Sequence, residues 1–109
     1  MFSDQNITSI VNQIVASVQP EEIFLFGSAA TKSTKPDSDI DLLVIESDEF
    51  GPQRSRRKEL RRIFDSLRKF AVPIDVLLYS KQEINSYKNS PSRVVSQAIK
   101  TGQRVYERH

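Results

Sequence analysis

Ile7, Ile10, Val11, Ile14, Val15 and Val18 recur at the i, i+3, i+4, i+7 spacing of one helical face. They predict a helix over residues 4–18, with Ser3 or Asp4 as its N-cap. A short apolar run at 22–26, EIFLF, ends at Gly27 and reads as a strand. Residues 39–46, DIDLLVIE, read as a second strand that is apolar on both faces past Asp41, and hence central to a sheet. Over residues 53–70, Leu60, Ile63, Phe64 and Leu67 are expected on one helical face, with arginines around the rest. Pro73 introduces a third strand at 74–79, IDVLLY, and a short helix is expected at 81–88. Val94, Val95, Ala98 and Ile99 predict a helix over 92–101 that stops at Gly102, followed by an edge strand in QRVYER.

Helices and strands alternate, so the pattern predicts an α/β (α+β) chain: a small mixed sheet with helices packed on it. The link from the first strand to the second, residues 27–38, is short for a parallel crossover, which takes a dozen or more residues. Antiparallel or mixed pairing is expected there. The order of the strands is not readable. At 109 residues the chain is long enough for one domain and hardly two, and 1–109 is read as a single domain.

Composition narrows the chemistry. There is no cysteine, which excludes a disulfide framework and thiolate metal sites. The only histidine, His109, is the last residue and is left out of the argument. Acid–base or metal chemistry must therefore use carboxylates. No apolar stretch approaches the roughly 20 residues of a membrane span. The N-terminus lacks the basic and continuous apolar regions of a secretory signal. A cytoplasmic protein without membrane contact is expected. The net charge of +2 hides an uneven distribution: Gly51–Phe70 carries +6 and the rest of the chain −4.

Two aspartates, Asp39 and Asp41, stand where the second strand begins. Strand alternation puts both on one face and turns Ile40 and Leu42 to the other. Like charges that close repel, and a divalent cation removes the conflict. Oxygen donors of this kind suit Mg²⁺, which completes its shell with water and substrate phosphates. A third acid, Asp75, lies inside the apolar run 74–79. If that strand lies beside the second, three carboxylates can hold two metals about 3.5–4 Å apart, the arrangement for in-line displacement at phosphorus. Gly27 lets the backbone turn sharply and approach a ligand. Ser28 can open a short helix whose first N–H groups face an anion. Lys32 and Lys35 can add charge toward a polyphosphate. Singly, each residue has a plainer reading. Asp37 and Asp39 suit an Asx turn, Asp75 an edge-strand acid or a partner of an arginine, Gly27 a turn and Ser28 an N-cap. Asp41, between Ile40 and Leu42, fits a turn poorly, and it is the conjunction that points to a site.

The stretch GSAATKSTKPDSDIDLLV resembles the signature of the nucleotidyltransferase superfamily typified by DNA polymerase β. Gly27-Ser28, ten residues and Asp39-x-Asp41 resemble its shortest members, the minimal nucleotidyltransferases (MNT). Chain length, the acid in PIDVLLY and the ending VVSQAIKTGQRVYER extend the likeness from about Ile7 to Glu107. The resemblance implies a nucleotidyltransferase-like fold and the transfer of a nucleoside monophosphate from ATP or another NTP to a hydroxyl, with release of pyrophosphate. It implies that Asp39 and Asp41 bind both of two Mg²⁺ ions. Asp75 would bind one of them and help activate the acceptor, and Gly27 and Ser28 would hold the triphosphate. Minimal members are often paired with a HEPN-domain protein encoded beside them as toxin and antitoxin. There the nucleotidyltransferase looks like the antitoxin, able to adenylylate its partner. Many relatives read G-S-x-A-x-G; here Lys32 replaces the second glycine and the neighbouring arginines are absent. Lys32 is expected to supply charge in their place.

The basic segment 54–69 leaves three readings open: a solvated helix face, a nucleic-acid contact, or a surface that docks an acidic partner or guides an NTP. Phe64 is expected on the apolar face, which leaves no stacking platform, and the family resemblance favours a protein partner. Two further functions compete with the enzyme acting on a protein. One is an antitoxin of the same fold that neutralises by contact alone. The other is a small-molecule, antibiotic-modifying transferase completed by a second chain.

Overall fold

The computed structural model describes residues 4–27, 40–70, 73–87 and 94–108. The order of elements is α1 (Asp4–Val18), β1 (Glu22–Phe26), β2 (Ile40–Glu46), α2 (Arg56–Ser66), β3 (Ile74–Ser80), α3 (Lys81–Tyr87), α4 (Val94–Thr101) and β4 (Gln103–Glu107). The four strands form one sheet in the order β3-β2-β1-β4. The pair β1–β2 is antiparallel, as the short link requires, and β1–β4 is antiparallel too. The pair β2–β3 is parallel, and α2 lies in the crossover between them. The mixed sheet expected from the pattern is therefore what forms.

β2 is the centre of the sheet because its side chains find apolar cover on both faces. Ile40, Leu42 and Val44 join Ile10, Val11 and Ile14 of α1 and Ile63 of α2 in one cluster. Leu43 and Ile45 join Phe24, Ile84 of α3, and Val95 and Ala98 of α4 in the other. Both faces of the sheet are thus covered by helices, which explains a strand apolar on either side.

Local signals set the ends of the elements. Gln19 closes α1 with a φ of 52°, its N–H donating to the Val15 carbonyl at 3.1 Å, and the buried Pro20 follows. Ser55 caps α2: its Oγ accepts from the Lys58 N–H at 3.3 Å. Ser80 and Glu83 form a reciprocal box at the start of α3. The Glu83 N–H donates to Ser80 Oγ at 3.2 Å, and the Ser80 N–H to Glu83 Oε1 at 2.9 Å. Burial tends to raise the Glu83 pKa, but bonds from Arg56 and Ser80 outweigh it and hold the carboxyl below its ordinary value. At the end of α4, a Cβ on Gly102 would lie 2.3 Å from the Ala98 carbonyl oxygen and 2.8 Å from that of Leu25. Only glycine lets the chain pass so close to the end of β1.

Two expectations change. The helix expected over 53–70 is shorter, Arg56–Ser66, because Ser55 caps it and Leu67 leaves helical geometry. Phe64 is not on its apolar face. Ile63 and Leu67 are buried and Leu60 packs beside them, whereas Phe64 is 42% exposed. Residues 63 and 64 are about 100° apart around a helix, and the core admits only the narrower arc. The residue Ser3, and residues 39, 88, 92 and 93 at the expected ends of elements, lie outside the described residues.

β2 ends in a buried acid. Glu46 is 3% exposed; its Oε1 accepts from Arg54, which also reaches Glu59 at 3.0 Å. Its Oε2 is buried with no hydrogen-bond partner. Burial, and then the neighbouring Glu59 carboxyl, push the Glu46 pKa up to about 7, with Arg54 opposing.

Candidate functional site

Register decides the geometry of the candidate site. β2 and β3 pair with Asp41 directly opposite Asp75. Adjacent strands lie about 4.8 Å apart, and registered partners project to the same side. That side is the one bearing Leu43 and Ile45, because alternation turns Asp41 away from Ile40 and Leu42. On the opposite flank, β1 places Phe26 against Asp41, so Gly27 follows at the same end of the sheet. Gly27 has a φ of 74°, and a Cβ built on it would lie 2.3 Å from Asp41 Oδ2. The turn's backbone therefore packs directly on the carboxylate.

Three of the seven residues singled out from the sequence, Gly27, Asp41 and Asp75, meet at one end of the sheet. The other four, Asp39, Ser28, Lys32 and Lys35, lie outside the described residues. Asp41 is half-buried and Asp75 exposed. Asp75 lies on β3, an edge strand, as one of its plainer readings has it; it makes no ion pair among the described residues, so the reading of it as an arginine's partner has no support there. Two carboxylates side by side, one of them without a counter-ion, are a hard-oxygen donor pair of the kind Mg²⁺ takes. Among the described residues no group of three acids converges. Asp39 precedes β2 by one residue.

Sequence reading passed over the contact between Gly27 and Asp41, and the support that Gly102 gives the end of β1. A signal for the second was present, since a glycine stood at a helix end just before a strand. It also passed over Glu46, which lies five residues along β2 from Asp41, about 17 Å away. The Glu46 cluster is thus separate from the carboxylate pair.

A predicted consequence concerns Gly27. Alanine there brings its methyl group into the Asp41 carboxylate and strains a left-handed backbone. Gly27→Ala is expected to lose about 1–2 kcal/mol in urea unfolding. It should also weaken Mn²⁺ binding at least about tenfold, since the displaced carboxylate no longer faces Asp75. A variant that binds Mn²⁺ like the wild type would show that this contact does not position Asp41.

A family model described as polymerase beta, nucleotidyltransferase, matches residues 5–109. The chain belongs to the polymerase β-type nucleotidyltransferase family. Such enzymes generally act on nucleoside triphosphates with a divalent metal, which agrees with a carboxylate pair beside a glycine turn. No curated protein matches the chain. Among solved structures it is similar to a toxin–antitoxin solved with AMP-PNP, at 22% identity and a TM-score of 0.57, covering 95% of this chain and 75% of that one. A nucleotidyltransferase from Sulfolobus solfataricus matches at 18% identity and a TM-score of 0.60, covering 94% and 78%. A mutant of the toxin–antitoxin MntA–HpeT matches at 18% identity and a TM-score of 0.51, covering 99% and 76%. At these identities the likeness is one of fold. Among the described residues, no helix of this nucleotidyltransferase is long and apolar enough to cross a membrane.

Proposed function

We propose that this nucleotidyltransferase is a Mg²⁺-dependent enzyme that moves a nucleoside monophosphate, AMP from ATP, onto a hydroxyl of a partner protein. In this reading it is the cytoplasmic antitoxin of a toxin–antitoxin pair whose other member is a HEPN-domain protein. The observation that carries the chemistry is the registered pair Asp41 and Asp75, with Gly27 packed on Asp41. Support for the partner comes from two structural neighbours that are toxin–antitoxin proteins, and support for the nucleotide from the one solved with AMP-PNP.

Asp39, Asp41 and Asp75 would hold two metal ions, whose chemistry is to neutralise the triphosphate and polarise the phosphorus under attack. Gly27 presents backbone without a side chain to the phosphates, and Ser28 and Lys32 bind them. Asp75, exposed at the rim, takes the proton of the acceptor hydroxyl. The hydroxyl oxygen then bonds to the α-phosphorus as the α–β anhydride bond breaks, and pyrophosphate leaves. Asp41, fixed between Gly27 and Asp75, holds its position throughout, so little reorganisation is needed.

Labelled ATP, Mg²⁺ and the purified chain, incubated with and without the protein encoded beside it, test the reading. Label on the partner is the expected result. Tight binding of the partner without transfer would replace it with neutralisation by contact. Transfer to an aminoglycoside in the presence of a second chain would replace it with small-molecule modification.

A further inference from the structure

The inward arginines of the basic segment have structural duties. Arg54 bonds Glu59 and stacks over Phe50, 4.4 Å from its centroid. Arg56 donates to the Leu78 carbonyl at 2.8 Å and to Glu83 at 2.5 Å. The outward side of α2 is different. Arg57, Lys58 and Arg61 are exposed and make no ion pair among the described residues. Beside them Phe64, at 42% exposure, is the one exposed large hydrophobic among the described residues. Arg57, Arg61 and Phe64 fall at i, i+4 and i+7, a single stripe about 10 Å long.

We infer that this stripe is a docking face for a protein partner that presents carboxylates around an apolar pocket. The inference rests on the partner-directed function proposed above and assigns the surface through which the partner is held. An aromatic ring set among arginines is the composition of an interface anchor: the ring needs an apolar pocket, and the guanidinium groups take carboxylates two bonds at a time. Exposed cations that make no ion pair among the described residues add long-range attraction and specificity for an acidic surface.

Two other occupants fit less well. Nucleic acid would satisfy the arginines, but one phenylalanine on a convex helix offers no platform for successive bases. The fold does not favour guidance of the triphosphate. α2 buries Ile63 and Leu67 with Ile40, Leu42 and Val44, on the face of the sheet opposite Asp41 and Asp75. The helix returns from the Glu46 end of β2 to the start of β3, so Phe64 lies toward the end of the sheet that carries Asp75. A partner anchored there can bring a hydroxyl around the sheet's end to the carboxylates.

Calorimetric titration of the full chain with the protein encoded beside it tests this. The wild type is expected to bind with an affinity that falls as salt rises. The pair Arg57→Glu/Arg61→Glu, and separately Phe64→Ala, should each weaken binding at least about tenfold. Arg57 and Arg61 are exposed and Phe64 is 42% exposed, so far-UV dichroism should match the wild type and the urea midpoint of the arginine pair should be unchanged. Unchanged affinity in both variants would overturn the docking face and leave nucleotidyl transfer standing. No complex with the wild-type chain would overturn the partner-directed reading itself. Loss of binding to a single-stranded RNA in these variants, with partner affinity untouched, would replace the partner by nucleic acid.

Discussion

Asp41→Asn or Asp75→Asn is expected to lower nucleotidyl transfer at least about a hundredfold while leaving the protein folded. The reason lies in what the carboxylates face. Asp41 and Asp75 are registered neighbours on parallel strands, so two like charges stand at the same end of the sheet. An amide in either place keeps the shape and removes a charge that a metal ion would offset. A metal ion at such a site would contribute several kcal/mol to the transition state, and each 1.4 kcal/mol is tenfold in rate. Without metal, Asp75→Asn should unfold in urea close to the wild type, because Asp75 is exposed. Adding Mg²⁺ and nucleotide should stabilise the wild type more than the variants. Transfer at the wild-type rate by the double variant would place the chemistry elsewhere.

The second large effect concerns pH and is remote from the carboxylate pair. Burial chiefly pushes the Glu46 carboxyl up to about 7 in the folded chain, from an ordinary value of 4.5. A carboxyl whose folded value is raised holds its proton to higher pH in the native state than in the unfolded one. Stability is therefore present below about 4.5 and lost as pH rises from there to about 7. A shift of that size corresponds to at most about 3 kcal/mol. Glu21 and Glu83 act in a different window. Their values are lowered, Glu21 chiefly by its bond from Ser47, so their contribution is lost only as pH falls below 4.5. In Glu46→Gln the titrating group is gone, and an amide nitrogen can donate to Glu59 from the position of the unpartnered oxygen. Urea unfolding at pH 5 and pH 8 checks this. The wild type should lose stability between the two and the variant should not, so that the variant is the more stable at pH 8. Parallel behaviour of both proteins would mean that Glu46 is ionised throughout.

Much of the fold could be read along the chain because its elements announce themselves locally. The α1 spacing and the strand runs 22–26 and 74–79 needed only periodicity and punctuation, and the structure keeps them with shifts of a residue. β2 was readable as central because a strand apolar on both faces needs cover on both. What periodicity does not encode is who pairs with whom. The sequence reading had to leave Asp75 conditional on its strand lying beside β2, and the register of Asp41 with Asp75 is a tertiary fact. Phe64 was misplaced for a related reason: an apolar residue next to a buried one looks like core until the width of the packed face is known. Glu46, Arg54 and Glu59 are separate in sequence and meet only when β2, the following loop and α2 come together. For Asp39, Ser28 and Lys32 the sequence expectation stands as part of the proposal, since they lie outside the described residues.

Manganese binding, followed by electron paramagnetic resonance in the presence of AMP-PNP, tests the central claim most directly. The account predicts about two ions held per wild-type chain, and loss of both when Asp41 and Asp75 are replaced by asparagine together. A wild-type chain that holds no manganese with the nucleotide present, or a double variant that holds as much as the wild type, would contradict it.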